Sequence, residues 1–269
     1  MLDIKPLTAT IGCEVSGIDL ANVDAETFAE LQKLWLDWKV LFFRDQPITT
    51  EEHIAFGRRF GELEIHPFIP NDGAHPEIVV INSTAEFNIA ASAWHSDVTW
   101  RVEPSLGSIL RGRVIPRVGG DTLFANAAAA YNRLSDTLKQ KIDGLIAVHD
   151  FAHVFSRKAS EEKLAELHEK YPVALHPVVR THPETGERVI YTNRDFTTHI
   201  DGIDPDESRK LLHRLELAIM DPSIQCRFRW ETDSFAMWDN RCTQHFATDD
   251  FFPENRRVER VTIKGDRPR

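Results

Sequence analysis

The stretch Trp94-His-Ser-Asp-Val-Thr-Trp100 mixes aromatic, β-branched and polar residues and contains neither glycine nor proline. This composition predicts a β-strand. Residues two apart on a strand point to the same face, so we expect His95 and Asp97 to project side by side. An imidazole beside a carboxylate is two thirds of the 2-His-1-carboxylate set, which binds ferrous iron and leaves other positions open for substrate and O₂.

The pair is weak evidence when it is taken alone. A second His-x-Asp pattern occurs at His199-Ile-Asp201, in a segment that runs into a loop. Two His-x-Glu patterns, His75-Pro-Glu77 and His182-Pro-Glu184, carry proline in turn-like sequence and make poor ligand pairs. For any one such pair, solvated polar groups are the commoner outcome, so His95 and Asp97 need support from the rest of the chain.

Composition limits the classes of partner. The chain has 269 residues, of which 42% are hydrophobic and 28% charged, and its net charge is −10. This balance argues against nucleic acid or an anionic membrane as the main partner, and an anionic small molecule would need a local basic pocket. The cysteines are odd in number and scattered, which favours a reducing cytoplasm, and no run of 18 apolar residues occurs.

Local signals predict a mixed, mainly β chain. Asp24 and the Thr49-x-x-Glu52 capping box are expected to open helices. Many short apolar or alternating runs predict strands, among them Val40–Phe43, 78–81 and 258–263. No linker or repeat divides residues 1–269, so we expect one domain: a double-stranded β-helix (jelly-roll) core with flanking α-helices. A charged helical excursion at about 151–175 could cover a pocket.

Support for a metal site comes from the last quarter of the chain. His245 follows a predicted strand and can supply the second imidazole if that strand lies near His95. On the last strand Arg256 and Arg260 point to one face, where no acid alternates with them. A bound carboxylate or sulfonate could partner such guanidiniums. An edge strand with solvated arginines explains the pattern about equally well.

Five motifs in a fixed order give the chain a resemblance to a known family. It resembles the taurine dioxygenase/TfdA family of Fe(II)- and 2-oxoglutarate-dependent dioxygenases over nearly its whole length. The motifs are Trp94-His-Ser-Asp-Val-Thr99, Gly119-Gly-Asp-Thr122, Tyr191-x-Asn-x-x-Phe-Thr-Thr198, Trp238-Asp-Asn-Arg-x-x-Gln-His245, and Arg256 with Arg260.

The resemblance implies roles position by position. His95, Asp97 and His245 match the iron ligands, and Thr122 and Arg256 match residues that hold the distal carboxylate of 2-oxoglutarate. Arg260 matches the arginine near the keto-acid end of this cosubstrate, which also receives the anionic group of the substrate. The substrate pocket would contain a histidine that binds the anionic head, and apolar residues that line the wall: His66, Val98, Phe155 and Phe196.

Two positions depart from the taurine pattern. Ile69 stands where taurine enzymes carry tyrosine, and Ala91 where they carry asparagine. The pocket is therefore expected to be larger and less polar, and to take an anionic head with an apolar body: an alkyl or aryl sulfonate, an alkyl sulfate ester or an aryloxyalkanoate. The resemblance also implies Fe(II), with 2-oxoglutarate and O₂ as cosubstrates, and a homodimer or homotetramer.

Other functions stay open at this point. A zinc hydrolase or cupin-like metalloenzyme would need neither Thr122 nor Arg256. A non-catalytic sandwich would bind metal or anion without turnover. A taurine dioxygenase proper, or a relative that acts on an amino acid or other metabolite, would share every motif above.

Overall fold

The computed structural model describes residues 2–84, 86, 92–156 and 160–269. The helices in this part of the chain are α1 (Ala25–Trp38), α2 (Thr50–Arg58), α3 (Ala127–Arg133), α4 (Asp136–Ile142), α5 (Ala152–Phe155), α6 (Glu161–Lys170) and α7 (Pro205–Ile219). The strands are β1 (Asp3–Pro6), β2 (Cys13–Ser16), β3 (Val40–Phe43), β4 (Val79–Ser83), β5 (Gly107–Val114), β6 (Thr122–Asn126), β7 (Ile146–His149), β8 (Ala174–Pro177), β9 (Val179–Thr181), β10 (Arg188–Ile190), β11 (Thr197–Ile200), β12 (Gln225–Phe228), β13 (Phe235–Asp239), β14 (Thr243–Ala247) and β15 (Arg256–Ile263).

The strands form one large sheet and three small ones. The large sheet has the order β1-β2-β3-β13-β5-β15-β4, and only β2 and β3 pair in parallel. A three-stranded sheet has the order β12-β6-β14. Two others pair β11-β7-β8 and β9-β10. The fold is therefore mixed and rich in β-structure.

The large sheet and the β12-β6-β14 sheet pack face to face. Phe42 of β3 stacks on Phe228 of β12 at a ring-centroid distance of 4.2 Å and meets Phe124 of β6 edge-on at 5.6 Å. Val258 of β15 and Trp238 of β13 join the same buried cluster. The sheets thus share an apolar interior, and side chains at the ends of their strands can converge on one site.

The opposite face of the large sheet packs against helices. Leu31 and Trp35 of α1 lie in a buried cluster with Ile109 of β5 and Val261 of β15. Both predicted helix starts are confirmed: Asp24 accepts a hydrogen bond from the backbone of Thr27, and Thr49 forms a reciprocal capping box with Glu52. These signals are local, so they can be read without knowledge of the tertiary fold.

The strand predicted at Trp94–Trp100 is wrong. Only His95 pairs with another strand, through an isolated bridge to His245, and the backbone turns from Asp97 to Trp100. Val98 adopts a φ of +49°, a left-handed conformation that a β-branched residue rarely takes. Side-chain hydrogen bonds take the place of the backbone hydrogen bonds of a β-strand here: the Ser96 hydroxyl donates to the Thr243 carbonyl at 2.6 Å. The turn is held by neighbours from the end of the chain rather than by strand pairing.

The described helices are all too short or too polar to cross a lipid bilayer. The cysteines Cys13, Cys226 and Cys242 are buried and form no disulfide.

Candidate metal and cosubstrate site

The bridge between the Asp97 turn and β14 brings three potential metal ligands together. His95 and His245 exchange two backbone hydrogen bonds, of 3.1 and 2.8 Å. Their ring centroids lie 4.1 Å apart, and His95 Nε2 lies 3.9 Å from Asp97 Oδ1. One ligand atom from each of the three residues lies within 4.8 Å of the others, and all three residues are buried. Although the strand prediction failed, the turn still sets His95 and Asp97 side by side.

Asp97 is held as an anion. Its Oδ2 accepts a hydrogen bond from the Ser108 hydroxyl at 2.9 Å, and its Oδ1 accepts one from the Arg260 guanidinium at 2.7 Å. Burial alone would raise the pKa of Asp97, but Arg260, His245 and His95 outweigh it and hold the pKa well below its usual range. A buried anionic oxygen beside two imidazoles suits a divalent cation.

One of the two imidazoles is oriented by a backbone hydrogen bond, and the other has no protein partner in the described part of the chain. His95 Nδ1 lies 2.9 Å from the carbonyl of Ala93, so it carries the proton and leaves Nε2 free to bind a metal. Burial, followed by the charge of His95, lowers the pKa of His245 far below its usual value. Within the described residues the His245 side chain makes no hydrogen bond, and its Nδ1 is buried. A buried imidazole without a protein partner fits a metal ligand.

Asn240, which the sequence analysis missed, clamps the backbone of Asp97. Its Oδ1 accepts from the Asp97 amide at 3.0 Å, and its Nδ2 donates to the Asp97 carbonyl at 3.3 Å and to the Ser105 hydroxyl. The side-chain amide of Asn240 thus satisfies both backbone polar groups of Asp97, as a neighbouring β-strand would. It lies in the turn between β13 and β14, which also leads to His245.

The two residues expected to hold the distal carboxylate of the cosubstrate lie at one end of the space between the sheets. Arg256 begins β15 and Thr122 begins β6, and both are buried. The indole Nε1 of Trp230, which sequence reasoning also missed, donates to Thr122 Oγ1 at 2.9 Å. The hydroxyl proton of Thr122 therefore points elsewhere. The Arg256 side chain also packs near the Trp230 ring, with 5.8 Å between guanidinium carbon and ring centroid.

Arg256 is a buried cation with little counter-charge from the protein. Its Nε donates to the Gly120 carbonyl at 2.9 Å, and no carboxylate of the described residues lies within 4.0 Å of its guanidinium. Burial lowers the pKa of Arg256 to about 10, with Asp121 opposing the shift, so the group stays charged at neutral pH. Such a cation is costly unless an anion joins it.

Arg260 differs from Arg256 in this respect. The sequence showed no acid on its strand face, but the structure supplies one from another element, since Asp97 pairs with it. Its Nε is buried and has no hydrogen-bond partner among the described residues. Arg260 therefore donates a hydrogen bond to the candidate metal ligand Asp97 through one terminal nitrogen, and its Nε–H is free to donate to another group.

Most of the predicted substrate residues lie in or against one apolar cluster beside these groups. His66 Nδ1 accepts from the backbone amides of Phe68 and Ile69 at 3.2 and 3.0 Å, so its proton lies on Nε2. Burial, with help from Arg260, lowers the pKa of His66 to about 3, which keeps it a neutral donor. Phe155 lies 6.2 Å from the His66 ring and belongs with two further predicted pocket residues to one apolar cluster: Val98 and Phe196.

Two predicted pocket residues stand apart. Ile69 is half-buried and is joined to His66 through its backbone amide. Ala91 lies outside the described residues.

Two other groupings of ligand-type residues are poor metal sites. His199 and Asp201 are exposed. His182, Asp239 and Cys242 are buried and close, but Arg241 and His182 Nε2 use the Asp239 oxygens, and His182 Nδ1 accepts from the Glu184 and Thr185 amides. In that cluster the imidazole and carboxylate are already paired to each other and to the protein.

The chain is similar to known proteins along almost its whole length. A family model described as "Taurine catabolism dioxygenase TauD, TfdA family" matches residues 3–262. An alpha-ketoglutarate-dependent sulfate ester dioxygenase of Pseudomonas putida is 35% identical, over 99% of this chain and 91% of its own length. An (S)-phenoxypropionate/alpha-ketoglutarate-dioxygenase of Sphingobium herbicidovorans is 35% identical, over 98% and 95%. The crystal structure of a taurine dioxygenase from Burkholderia xenovorans superposes with a TM-score of 0.86 at 40% identity, covering 99% of this chain and 92% of the other.

Proposed function

This chain belongs to the TauD/TfdA family of alpha-ketoglutarate-dependent dioxygenases, and on that premise we propose that His95, Asp97 and His245 hold its iron. As a member it is an oxidoreductase that uses Fe(II), 2-oxoglutarate (alpha-ketoglutarate) and O₂. This removes the hydrolase and the non-catalytic sandwich from the alternatives. The assignment of the ligands rests on the buried carboxylate beside two buried imidazoles, one oriented by the Ala93 carbonyl and the other without a protein partner among the described residues.

We assign Arg256 and Thr122 to the distal carboxylate of 2-oxoglutarate. The support is that Arg256 is a buried guanidinium that lacks a carboxylate partner in the described part of the chain, and that Trp230 turns the Thr122 hydroxyl into a donor. Arg260 is assigned to the other end of the site, where it holds Asp97 and keeps Nε available. When bound, the iron supplies O₂-dependent oxidation of the substrate. The residues bind and orient the reactants and exclude water.

The substrate we propose is a small organic anion with an apolar body: an alkyl or aryl sulfonate, an alkyl sulfate ester or an aryloxyalkanoate. The head would meet the Nε2 proton of His66 and the free donor of Arg260. Val98, Phe155 and Phe196 offer an apolar wall, and Ile69 adds another apolar side chain close to His66. Relatives named for sulfate esters and for phenoxypropionate favour the same class. Hydroxylation beside a heteroatom would yield an aldehyde or oxo acid with sulfite, sulfate or a phenol.

We also propose that the chain forms a single domain with a double-stranded β-helix core, covered over the pocket by the segment from about 151 to 175. The facing β-sheets support the core, and the contact of Phe155 and Phe151 with Phe68 supports the cover. A homodimer or homotetramer in the cytoplasm remains our expectation, and the buried unpaired cysteines agree with a reducing compartment.

The proposal is tested by succinate release with Fe(II) and 2-oxoglutarate over a panel of anions. Taurine carries an ammonium group that an apolar wall would leave unpaired. Each buried methylene is worth about 0.8 kcal/mol, so three or four extra carbons give about a 50- to 200-fold preference. We expect hexyl sulfate, hexanesulfonate or an aryloxypropionate to exceed taurine in kcat/KM. Turnover of taurine at least as fast as every longer or aromatic anion, or turnover of an amino acid instead, would contradict the proposed substrate class.

A further inference from the structure

An ion pair that the proposed chemistry does not use joins the buried Glu64 to the half-buried Arg101, near the residues assigned to the substrate head. The Glu64 side chain is only 2% exposed, and its Oε2 lies 3.3 Å from an Arg101 terminal nitrogen. The geometry is too poor for a hydrogen bond, and Oε2 has no such partner among the described residues. A carboxylate that is withdrawn from water and poorly hydrogen-bonded is costly, so its position calls for an explanation.

The backbone directs Glu64 toward the site. Leu63 pairs with Ile263, and both side chains pack in the apolar cluster beneath α1 and α2. Because side chains alternate along an extended segment, Glu64 and Thr262 point to the other side, the side of Arg260. The Glu64 amide donates to the Thr262 carbonyl at 2.8 Å, which fixes this register.

Arg101 reaches the same place from the turn that carries Asp97. Its amide donates to the Val98 carbonyl at 3.0 Å and closes that turn. Burial raises the pKa of Glu64, Arg101 and Arg260 oppose that rise, and Asp97 adds to it. The pKa of His66 also responds to both arginines. Glu64 pairs with Arg101, lies two residues before His66, and is bonded through its amide to Thr262 on the face of β15 that carries Arg260. We call Glu64, His66, Arg101 and Arg260 the head-group cluster.

The charge of the head-group cluster is +1. Arg101 and Arg260 contribute two positive charges, Glu64 one negative charge, and His66 is neutral. Asp97 pairs with Arg260, but its charge is counted with the iron ion to which it is assigned. A head with one negative charge neutralises the cluster, whereas a second negative charge would face Glu64 with no cation left to meet it.

We propose that Glu64, paired with Arg101, is a specificity-determining residue that makes the pocket select monoanionic over dianionic head groups. Sulfonates, sulfate monoesters and carboxylates are accepted, and phosphate monoesters of the same length are rejected. The inference rests on the proposed function, since it takes His66 and Arg260 as the residues that receive the substrate head. Like charges set against each other at a desolvated contact cost enough to govern such a choice.

The test compares hexyl sulfate with hexyl phosphate, two ligands of similar shape. The second pKa of a phosphate monoester is about 6, so hexyl phosphate is a dianion at pH 8. Binding is measured by calorimetry on enzyme loaded with Fe(II) and 2-oxoglutarate under argon, where no turnover occurs. We expect wild type to bind hexyl sulfate more tightly than hexyl phosphate. E64Q should reduce the ratio of the Kd for hexyl phosphate to the Kd for hexyl sulfate by about 10- to 100-fold.

Two further variants sharpen the comparison. E62Q removes an exposed carboxylate two residues away that pairs with Lys264, and it should leave the ratio unchanged. R101Q removes a cation from the head-group cluster, so it should weaken binding of both ligands. Because the charge of Glu64 is then less balanced, the dianion should lose more, and the ratio of the Kd for hexyl phosphate to the Kd for hexyl sulfate should rise. If E64Q does not fold, the ratio measured for R101Q tests the selection by charge instead.

The outcomes separate this inference from the proposed function. Wild type that binds hexyl sulfate, together with an E64Q or R101Q variant whose ratio is unchanged, would overturn the selection by charge and leave Glu64 a structural partner of Arg101. Wild type that binds neither hexyl sulfate, hexanesulfonate nor a phenoxypropionate would overturn the proposed substrate class and this inference with it.

Discussion

Single side chains carry the iron assignment, and the three proposed ligands should not behave alike when they are removed. His245→Ala deletes an imidazole that makes no side-chain hydrogen bond to the described protein, so it should remove iron binding and cost only the packing of the lost ring on Trp238 and Phe124. Asp97→Ala also strands the buried Arg260 guanidinium, which should lower the free energy of unfolding by about 3–5 kcal/mol. Both variants, and His95→Ala, should lower Fe(II)-dependent succinate release more than about 100-fold.

Dialysis against Fe(II) and circular dichroism distinguish loss of the ion from loss of the fold in these variants. The exposed His199 and Asp201 provide the matched control, because they repeat the same sequence pattern outside the site. Alanine at either position should leave iron binding intact. Iron retained by His245→Ala, or lost in Asp201→Ala, would mean that the ligand set is wrong.

Arg256 gives a second prediction about a single residue. A charge-assisted bidentate bond is worth about 1.5–3 kcal/mol, so Arg256→Ala should raise the KM for 2-oxoglutarate about 10- to 150-fold. Arg257→Ala is the control, since its side chain is on the other face of β15 and pairs with Glu259. A KM for 2-oxoglutarate that stays at the wild-type value in Arg256→Ala would place the distal carboxylate elsewhere.

At the level of elements, the turn between β13 and β14 orders the turn that begins at Asp97. Asn240 contacts both backbone polar groups of Asp97, so Asn240→Ala should loosen the carboxylate without touching the ion. We expect Fe(II) affinity to fall about 10- to 100-fold, as for other outer partners of metal ligands. The free energy of unfolding should fall by about 1–3 kcal/mol.

Fe(II) titration well below the melting temperature separates these two effects of Asn240→Ala. Asn132→Ala, an exposed change on α3, is the matched control. If Asn240→Ala lowers stability while the Fe(II) affinity stays at the wild-type value, Asn240 only supports the fold.

The turn that begins at Asp97 also shows which features of the structure can be predicted from the sequence and which cannot. The caps at Asp24 and Thr49 were predicted correctly because the groups involved lie within three residues of each other. The strand at Trp94–Trp100 was wrong because its composition suits a buried turn equally well. The deciding contact comes from Asn240, which is 143 residues away from Asp97 in the sequence. Trp230, Glu64 and Arg101 were missed for the same reason: no motif marks a pair whose partners meet only in the folded chain.

At the scale of the whole molecule, buried histidines link stability to pH. Burial lowers the pKa of His53 to about 3 and that of His176 to about 4, whereas an unfolded histidine titrates near about 6.5. Between these values the unfolded chain binds protons that the folded chain does not. Stability is therefore fully present above about pH 6.5 and falls as the pH drops toward 4. Asp97 and Asp239, whose pKa values are held low by their partners, add a further loss only below about pH 4.

His53 is a buried histidine away from the proposed iron ligands, so its contribution to the pH dependence of stability can be measured separately. It lies fully buried on α2, with Nε2 3.1 Å from the Ile109 carbonyl, and glutamine can keep that hydrogen bond without titrating. One proton is worth about 1.36 kcal/mol per pH unit, so His53→Gln should flatten the decline of unfolding free energy between pH 6 and 4.5 by about that slope. Urea unfolding at half-unit pH steps measures it, with the exposed His199→Gln as the control that keeps the parent slope. If His53→Gln declines as steeply as the parent, the folded protein protonates His53 near its ordinary pKa, and the acid sensitivity comes from other groups.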